Sequence, residues 1–195
     1  MLEFIMMIIE ERAEVEEFKI IDNEILQNTF PWYHFDSYLG RRIFPMVTHT
    51  LVKRCDNGEE PVPNSKYYYL FEGVIKRFCK QHNVSFTRFT RAALNFSMSN
   101  SKYSFVCPHV DFTFKHKLLI IYLEDTSGDT IIFDKKYTKG KVVIDIESPR
   151  VKKLKVLKRI KPERGKVMMC DGLHFHSFGF CKHDQLRRIG VFTFV

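Results

Sequence analysis

Leu118-Leu119-Ile120-Ile121-Tyr122-Leu123 is followed, after Glu124, by Asp125-Thr126-Ser127-Gly128-Asp129 and then by Thr130-Ile131-Ile132-Phe133. Two short runs of aliphatic, β-branched and aromatic residues joined by a Ser-Gly-Asp turn signal read as consecutive β-strands. Working outward, the same grain recurs at 86–96, 103–106, 141–146, 167–170 and 189–195, with Lys139-Gly140 as another turn. Many short strands punctuated by turns predict a β-sandwich or barrel. Upstream the period changes. Tyr67, Leu70, Phe71, Val74, Ile75 and Phe78 recur at the three-and-four spacing of an amphipathic helix over 67–81, with Asn64 and Ser65 as cap candidates and Asn83 beyond its end. The acidic stretch 10–17 predicts a short helix or frayed start leading into a strand near 18–21. The expected architecture is mainly β with N-terminal helices (α+β), helical and strand support in 1–100 and the barrel core in 101–195, as one domain.

Composition excludes several classes. At 45% hydrophobic and 28% charged residues over 195, the chain has the balance of a globular domain rather than a disordered or membrane protein. The opening run 2–9 is too short for a membrane helix and lacks the pattern of a secretion signal, so a cytoplasmic location is expected. Cys55, Cys79, Cys107, Cys170 and Cys181 form no close pair, which argues for buried reduced thiols rather than disulfides or a cysteine zinc site. The net charge of +8 is densest at Lys152, Lys153, Lys155, Lys158, Arg159, Lys161 and Arg164. Such a run suits a phosphate backbone, or equally a solvated strand edge guarded against pairing.

The chemistry begins at His109-Val110-Asp111. Residues two apart on a strand share a face, so an imidazole and a carboxylate would project together. They are two of the three ligands of the two-His, one-carboxylate facial triad that holds Fe(II) with open positions. Alone the motif is weak, and a second copy stands at His34-Phe35-Asp36, in a stretch without strand character. The residues downstream of Asp111 strengthen it: the strands at 118–123 and 130–133, then Arg164-Gly165-Lys166-Val167-Met168-Met169-Cys170-Asp171-Gly172, His174, His176, and Arg187-Arg188-Ile189-Gly190-Val191-Phe192.

In this ordered series, over about residues 100–195, the chain resembles the 2-oxoglutarate/Fe(II)-dependent oxygenase superfamily, its prolyl-4-hydroxylase-like branch and the small oxygenases of marine phages. The resemblance implies a double-stranded β-helix (jelly-roll, cupin-like) barrel, Fe(II) with 2-oxoglutarate and O2 as co-substrates, and a location in the host cytoplasm if the chain is viral. Carried over residue by residue, His109 and Asp111 match the first two iron ligands, and His176, five positions after Asp171, matches the third. His174 is the rival, on the same strand face and one residue pair away. Arg188 matches the basic residue that grips the far carboxylate of 2-oxoglutarate, and a guanidinium suits that task. Tyr122 matches a position that hydrogen-bonds the same group, with plain core packing as its alternative. The implied activity couples oxidative decarboxylation of 2-oxoglutarate to hydroxylation of a C–H bond, with a protein or amino-acid substrate favoured. Two other readings stay open. A nucleobase demethylase would use the alternating Phe86, Arg88, Phe89 and Arg91 for recognition. A non-catalytic cupin-like module would more typically collect three histidines and a glutamate.

Overall fold

The computed structural model describes residues 8–12, 16–35, 46–55, 58–100 and 102–195. In chain order its elements are β1 (Ile9–Arg12), α1 (Glu17–Ile20) continuing into a π-helical turn (Ile21–Ile25), β2 (Tyr33–Phe35), β3 (Met46–Val52), α2 (Tyr68–Gln81), β4 (Phe89–Ser97), β5 (Lys117–Tyr122), β6 (Thr130–Lys136), a 3-10 turn (Val151–Lys153), β7 (Val156–Ile160), β8 (Lys166–Asp171), β9 (His174–Phe178) and β10 (Arg187–Phe194). They form an antiparallel seven-stranded sheet in the order β1-β8-β5-β10-β4-β3-β2 and a three-stranded sheet in the order β7-β6-β9.

The two sheets face each other. Leu118, Ile120, Tyr122, Ile189 and Val191 of the larger meet Ile132 and Ile160 of the smaller in one buried cluster. The outer face of the larger sheet is covered by α2, whose Tyr68, Phe71, Val74, Ile75 and Phe78 are buried at helical spacing against Phe89, Leu94, Phe192 and Phe194. Each such side chain contributes roughly 1.5–3 kcal/mol on burial. Asn83 closes the helix with φ 54°, the left-handed conformation that asparagine tolerates.

Several expectations change. The N-terminal order is reversed: the strand comes first (Ile9–Arg12, paired with β8) and the helix falls on Glu17–Ile20, where a strand was expected. Residues 103–106 and 141–146 form only isolated bridges, Phe105 with Gly179 and Val143 with His109. β3 and β7 lie in stretches whose sequence shows no alternation. β1 to β4, which precede residue 100, extend the same sheet as β5, β8 and β10. Of the second His-x-Asp copy, His34 lies on β2 and Asp36 lies outside the described residues. No described helix is long and apolar enough to cross a membrane.

Candidate active site

His109 sits in a bridge rather than a long strand, held by reciprocal backbone hydrogen bonds of 2.9 Å with His176 on β9. This pairing brings the two imidazoles to 4.5 Å between centroids. Ligand atoms of His109, Asp111 and His176 all lie within 4.8 Å of one another, and all three residues are buried. Each histidine is oriented through Nδ1, which donates to a backbone carbonyl: His109 to Cys107 at 3.0 Å, His176 to His174 at 3.2 Å. In that tautomer each ring carries its lone pair on Nε2, the arrangement of a metal-binding imidazole. Burial, and next the neighbouring His176, push His109 down to about 3, so its ring is neutral.

Asp111 is divided in function between its two oxygens. Oδ1 accepts from Arg91 Nη1 at 3.0 Å and from Arg54 Nη2 at 3.3 Å. Arg54 also donates to the Asp111 carbonyl and lies over the Phe112 ring at 4.5 Å. Oδ2 is buried with no hydrogen-bond partner among the described residues, 3.5 Å from His176 Nε2. Burial alone would raise this carboxyl, but His176 and Arg91 outweigh it and hold it well below its ordinary range. Two imidazoles and one ionised carboxylate oxygen with no hydrogen-bond partner among the described residues fit a divalent, borderline metal such as Fe(II). His174, the rival, turns Nδ1 to the Phe133 carbonyl at 2.8 Å and is not part of the cluster.

The pocket behind these ligands ends in a buried arginine, and it is Arg187, not Arg188, the residue that the resemblance matches. Arg187, Ile189 and Val191 line the pocket, while Arg188 points out of it. Arg188 makes a two-pronged pair with Glu124 (Nε to Oε1 and Nη2 to Oε2, both 2.9 Å) and donates to the Leu26 carbonyl. The reason is packing: Phe192 and Phe194, on the Arg188 face, fill the core under α2. Arg187 is 1% exposed; it donates to the Gly128 carbonyl at 2.8 Å and to Thr130 Oγ1 at 2.9 Å, with Phe178 under its guanidinium. Gly128 is required there. Its φ is +87°, and a Cβ would sit 2.5 Å from the Gly179 carbonyl oxygen.

Tyr122 is fully buried and does not reach the pocket lining; its hydroxyl donates to Thr130 Oγ1 at 2.7 Å. With both lone pairs of Thr130 occupied by Tyr122 and Arg187, its own proton is free to be donated into the pocket. Ser97, opposite Arg187 in register on β4, has a buried Oγ with no partner among the described residues. Arg54, Arg91, Ser97, Thr130 and Arg187 were not singled out for these roles from sequence; they reach the site over long separations that no local pattern marks. The free space between the lining side chains is narrow, about 30 Å³, so a dicarboxylate must displace some of them. Met46, unbranched and lining the mouth from β3, is the most compliant. The segment considered for nucleotide recognition is otherwise engaged: Phe86 and Phe89 meet edge to face at 5.0 Å in the core, and Arg91 holds Asp111.

No protein-family model matches the chain, and no curated protein does. Solved structures do. An oxidoreductase of the 2OG-Fe(II) oxygenase family from Burkholderia pseudomallei superposes with a TM-score of 0.63 at 15% identity, over 96% of this chain and 84% of that one. The epimerase SnoN, in complex with Fe3+, alpha ketoglutarate and nogalamycin RO, gives 0.57 at 10% identity over 96% and 78%. A prolyl hydroxylase from Trichoplax adhaerens, in complex with a hypoxia inducible factor oxygen degradation domain peptide fragment, gives 0.56 at 12% over 97% and 83%. The chain therefore has the double-stranded β-helix fold of these proteins, with a His-Asp-His cluster between its sheets.

Proposed function

We propose that the protein is an Fe(II)- and 2-oxoglutarate-dependent dioxygenase that hydroxylates a C–H bond, with a protein or amino-acid group as primary substrate. The observation that carries this reading is the buried triad of His109, Asp111 and His176 opening onto a pocket that ends in Arg187. In it, His109 Nε2, His176 Nε2 and Asp111 Oδ2 hold the metal. When bound, Fe(II) supplies the O2 chemistry that couples decarboxylation of 2-oxoglutarate to substrate hydroxylation.

The remaining residues bind and orient. Arg187, rather than Arg188, grips the far carboxylate of 2-oxoglutarate, with Thr130 Oγ–H and Ser97 Oγ–H as further donors and Tyr122 acting only through Thr130. A guanidinium already fixed by Gly128 and Thr130 loses little further freedom on meeting its ligand. Arg91 and Arg54 hold one oxygen of Asp111 so that the other stays aimed at the metal. The apolar walls, Leu118, Ile120, Ile189 and Val191, exclude water. For the substrate class, the support is the peptide carried by the prolyl hydroxylase of the same fold.

The test is anaerobic titration with Fe(II) and 2-oxoglutarate, followed by O2 and a panel of peptides and free amino acids. A metal-to-ligand charge-transfer band and succinate release are expected, both lost in Asp111→Ala. Full succinate release by Asp111→Ala would overturn the assignment.

A further inference from the structure

The positive charge of the chain is not spread evenly. Residues 135–166 hold 13 Lys and Arg against Asp145, Glu147 and Glu163, so this sixth of the sequence carries +10 and all other residues together sum to −2. The 11 cations from Lys135 to Lys161 are all exposed. Among the described residues, only Lys136, with Asp171, and Lys158, with Glu10, are ion-paired.

The fold gathers most of these cations around the outer side of the three-stranded sheet. Val151 and Leu154 pack into an apolar cluster with Ile131, Phe133, Ile144 and Phe175 on the outer side of the three-stranded sheet. That contact pins the 3-10 turn down and leaves Lys152, Lys153 and Lys155 in solvent. At one end of the same face lies a cavity of about 690 Å³, lined by Lys135, Lys136, Lys139, Lys141 and Arg150, with Phe175 and one acid, Asp145. This cavity shares no lining residue with the iron pocket. At the other end, β7 carries Lys158 and Arg159 on the sheet edge. Edge protection explains the charges on β7. It does not explain a cavity away from that edge that sets five cations against the single lining acid Asp145, an excess of positive charge that an added anion would relieve.

We propose that this face docks the phosphate backbone of a single-stranded nucleic acid, holding the protein on the strand independently of the iron pocket. The row of cations exceeds what one phosphate or one small anion can use, and a repeating polyanion matches it. The concavity favours a strand that can enter it over lipid headgroups confined to a plane, and its size admits a few nucleotides rather than a duplex. The docking does not depend on the oxygenase reading, because binding is measured without turnover.

The experiment is fluorescence anisotropy of a labelled single-stranded 20-mer of mixed sequence with the full chain, from 50 to 200 mM salt. Binding should weaken linearly on a log–log plot, by about 0.7 in slope for each phosphate contacted. Lys139→Gln/Lys141→Gln/Arg150→Gln should weaken binding at least tenfold at 50 mM and reduce the slope by about 2, with an unchanged thermal midpoint since all three side chains are exposed. Lys19→Gln/Lys76→Gln/Lys80→Gln, which removes the same charge on the α1 and α2 side, should bind like the wild type. Three results overturn the proposal: no binding at 50 mM salt, equal loss in both triple variants, or capture by phosphatidylserine vesicles with none by the oligonucleotide.

Discussion

The two sheets differ most on their outer sides. The seven-stranded sheet is covered by α2 and its aromatic partners, with Phe71 against Phe192 at 5.3 Å between ring centroids. The three-stranded sheet is covered by a basic segment that touches it through a few aliphatic residues and faces solvent with lysines. One side therefore supplies most of the folding free energy, and the other is released for contact with partners. Between them the triad takes His176 from the smaller sheet, while the arginine that closes the pocket comes from the larger. The site depends on the sheets being held in register but not on what covers the smaller one.

The sharpest way to break this contrast is by stability. Phe192→Ala opens a cavity under α2 and should cost about 3–5 kcal/mol, whereas Lys152→Ala/Lys153→Ala should stay within about 0.5 kcal/mol. Urea denaturation followed by tryptophan fluorescence measures both. Similar losses would mean that the basic segment is structural.

The same contrast explains what could be read from sequence. β7 is exposed along most of its length, so its charges mark a sheet edge, and β5 and β8 stand out as apolar runs. His109 and Asp111 were legible because a two-residue spacing needs no knowledge of the fold. β10 has both faces buried, Ile189 and Val191 toward the pocket and Phe192 and Phe194 toward α2, so alternation cannot say which face is inside. Alternation therefore gives no ground for choosing between Arg187 and Arg188 as the residue that lines the pocket. β3 escaped notice because Thr48 and His49 are polar yet buried, satisfied by Asn95, Pro31 and Ser65 through tertiary contacts.

Arg187 and Arg188 test the interior against the exterior of one strand. Losing a buried charge-assisted contact costs about 2–5 kcal/mol, so Arg187→Ala should weaken 2-oxoglutarate binding by about a hundredfold or more at ~1.4 kcal/mol per decade. Fe(II) affinity should hardly change. Arg188→Ala should bind 2-oxoglutarate normally but lose about 1 kcal/mol of stability, since Glu124 keeps partial exposure. Anaerobic titration of the charge-transfer band separates them, and the opposite ranking would restore Arg188 to the role the resemblance implies.

A smaller effect is expected where Arg91, on the larger sheet, reaches Asp111. Outer-shell partners of a metal ligand are worth about 10–100-fold in metal affinity. Arg91→Ala should sit at the low end, because Arg54 still holds Oδ1. Arg91→Gln keeps a donor without the charge, so near-normal Co(II) binding by Gln and tenfold weaker binding by Ala would assign the effect to orientation. Tighter binding by Ala would assign it to removal of a repelling cation.

The smallest expected effect concerns Asp171, at the end of β8, which links the two sheets from outside the site. Its carboxylate accepts from Lys136 Nζ on β6 at 2.7 Å and from the Leu173 N–H at 3.0 Å. Partial burial would raise its pKa, but Lys136 and the backbone N–H outweigh that and hold it below 3.8. A carboxyl lowered on folding contributes stability that is fully present above its unfolded value, about 3.9, and is lost as pH falls toward the lower folded value. Asp171→Asn should therefore cost no more than about 1 kcal/mol at neutral pH, since the lysine is half exposed. It should also flatten the decline in thermal midpoint below about pH 5. Midpoints measured from pH 3 to 7 for both proteins decide the matter: parallel acid limbs would show that the link between the sheets is carried by their shared apolar core and not by this pair.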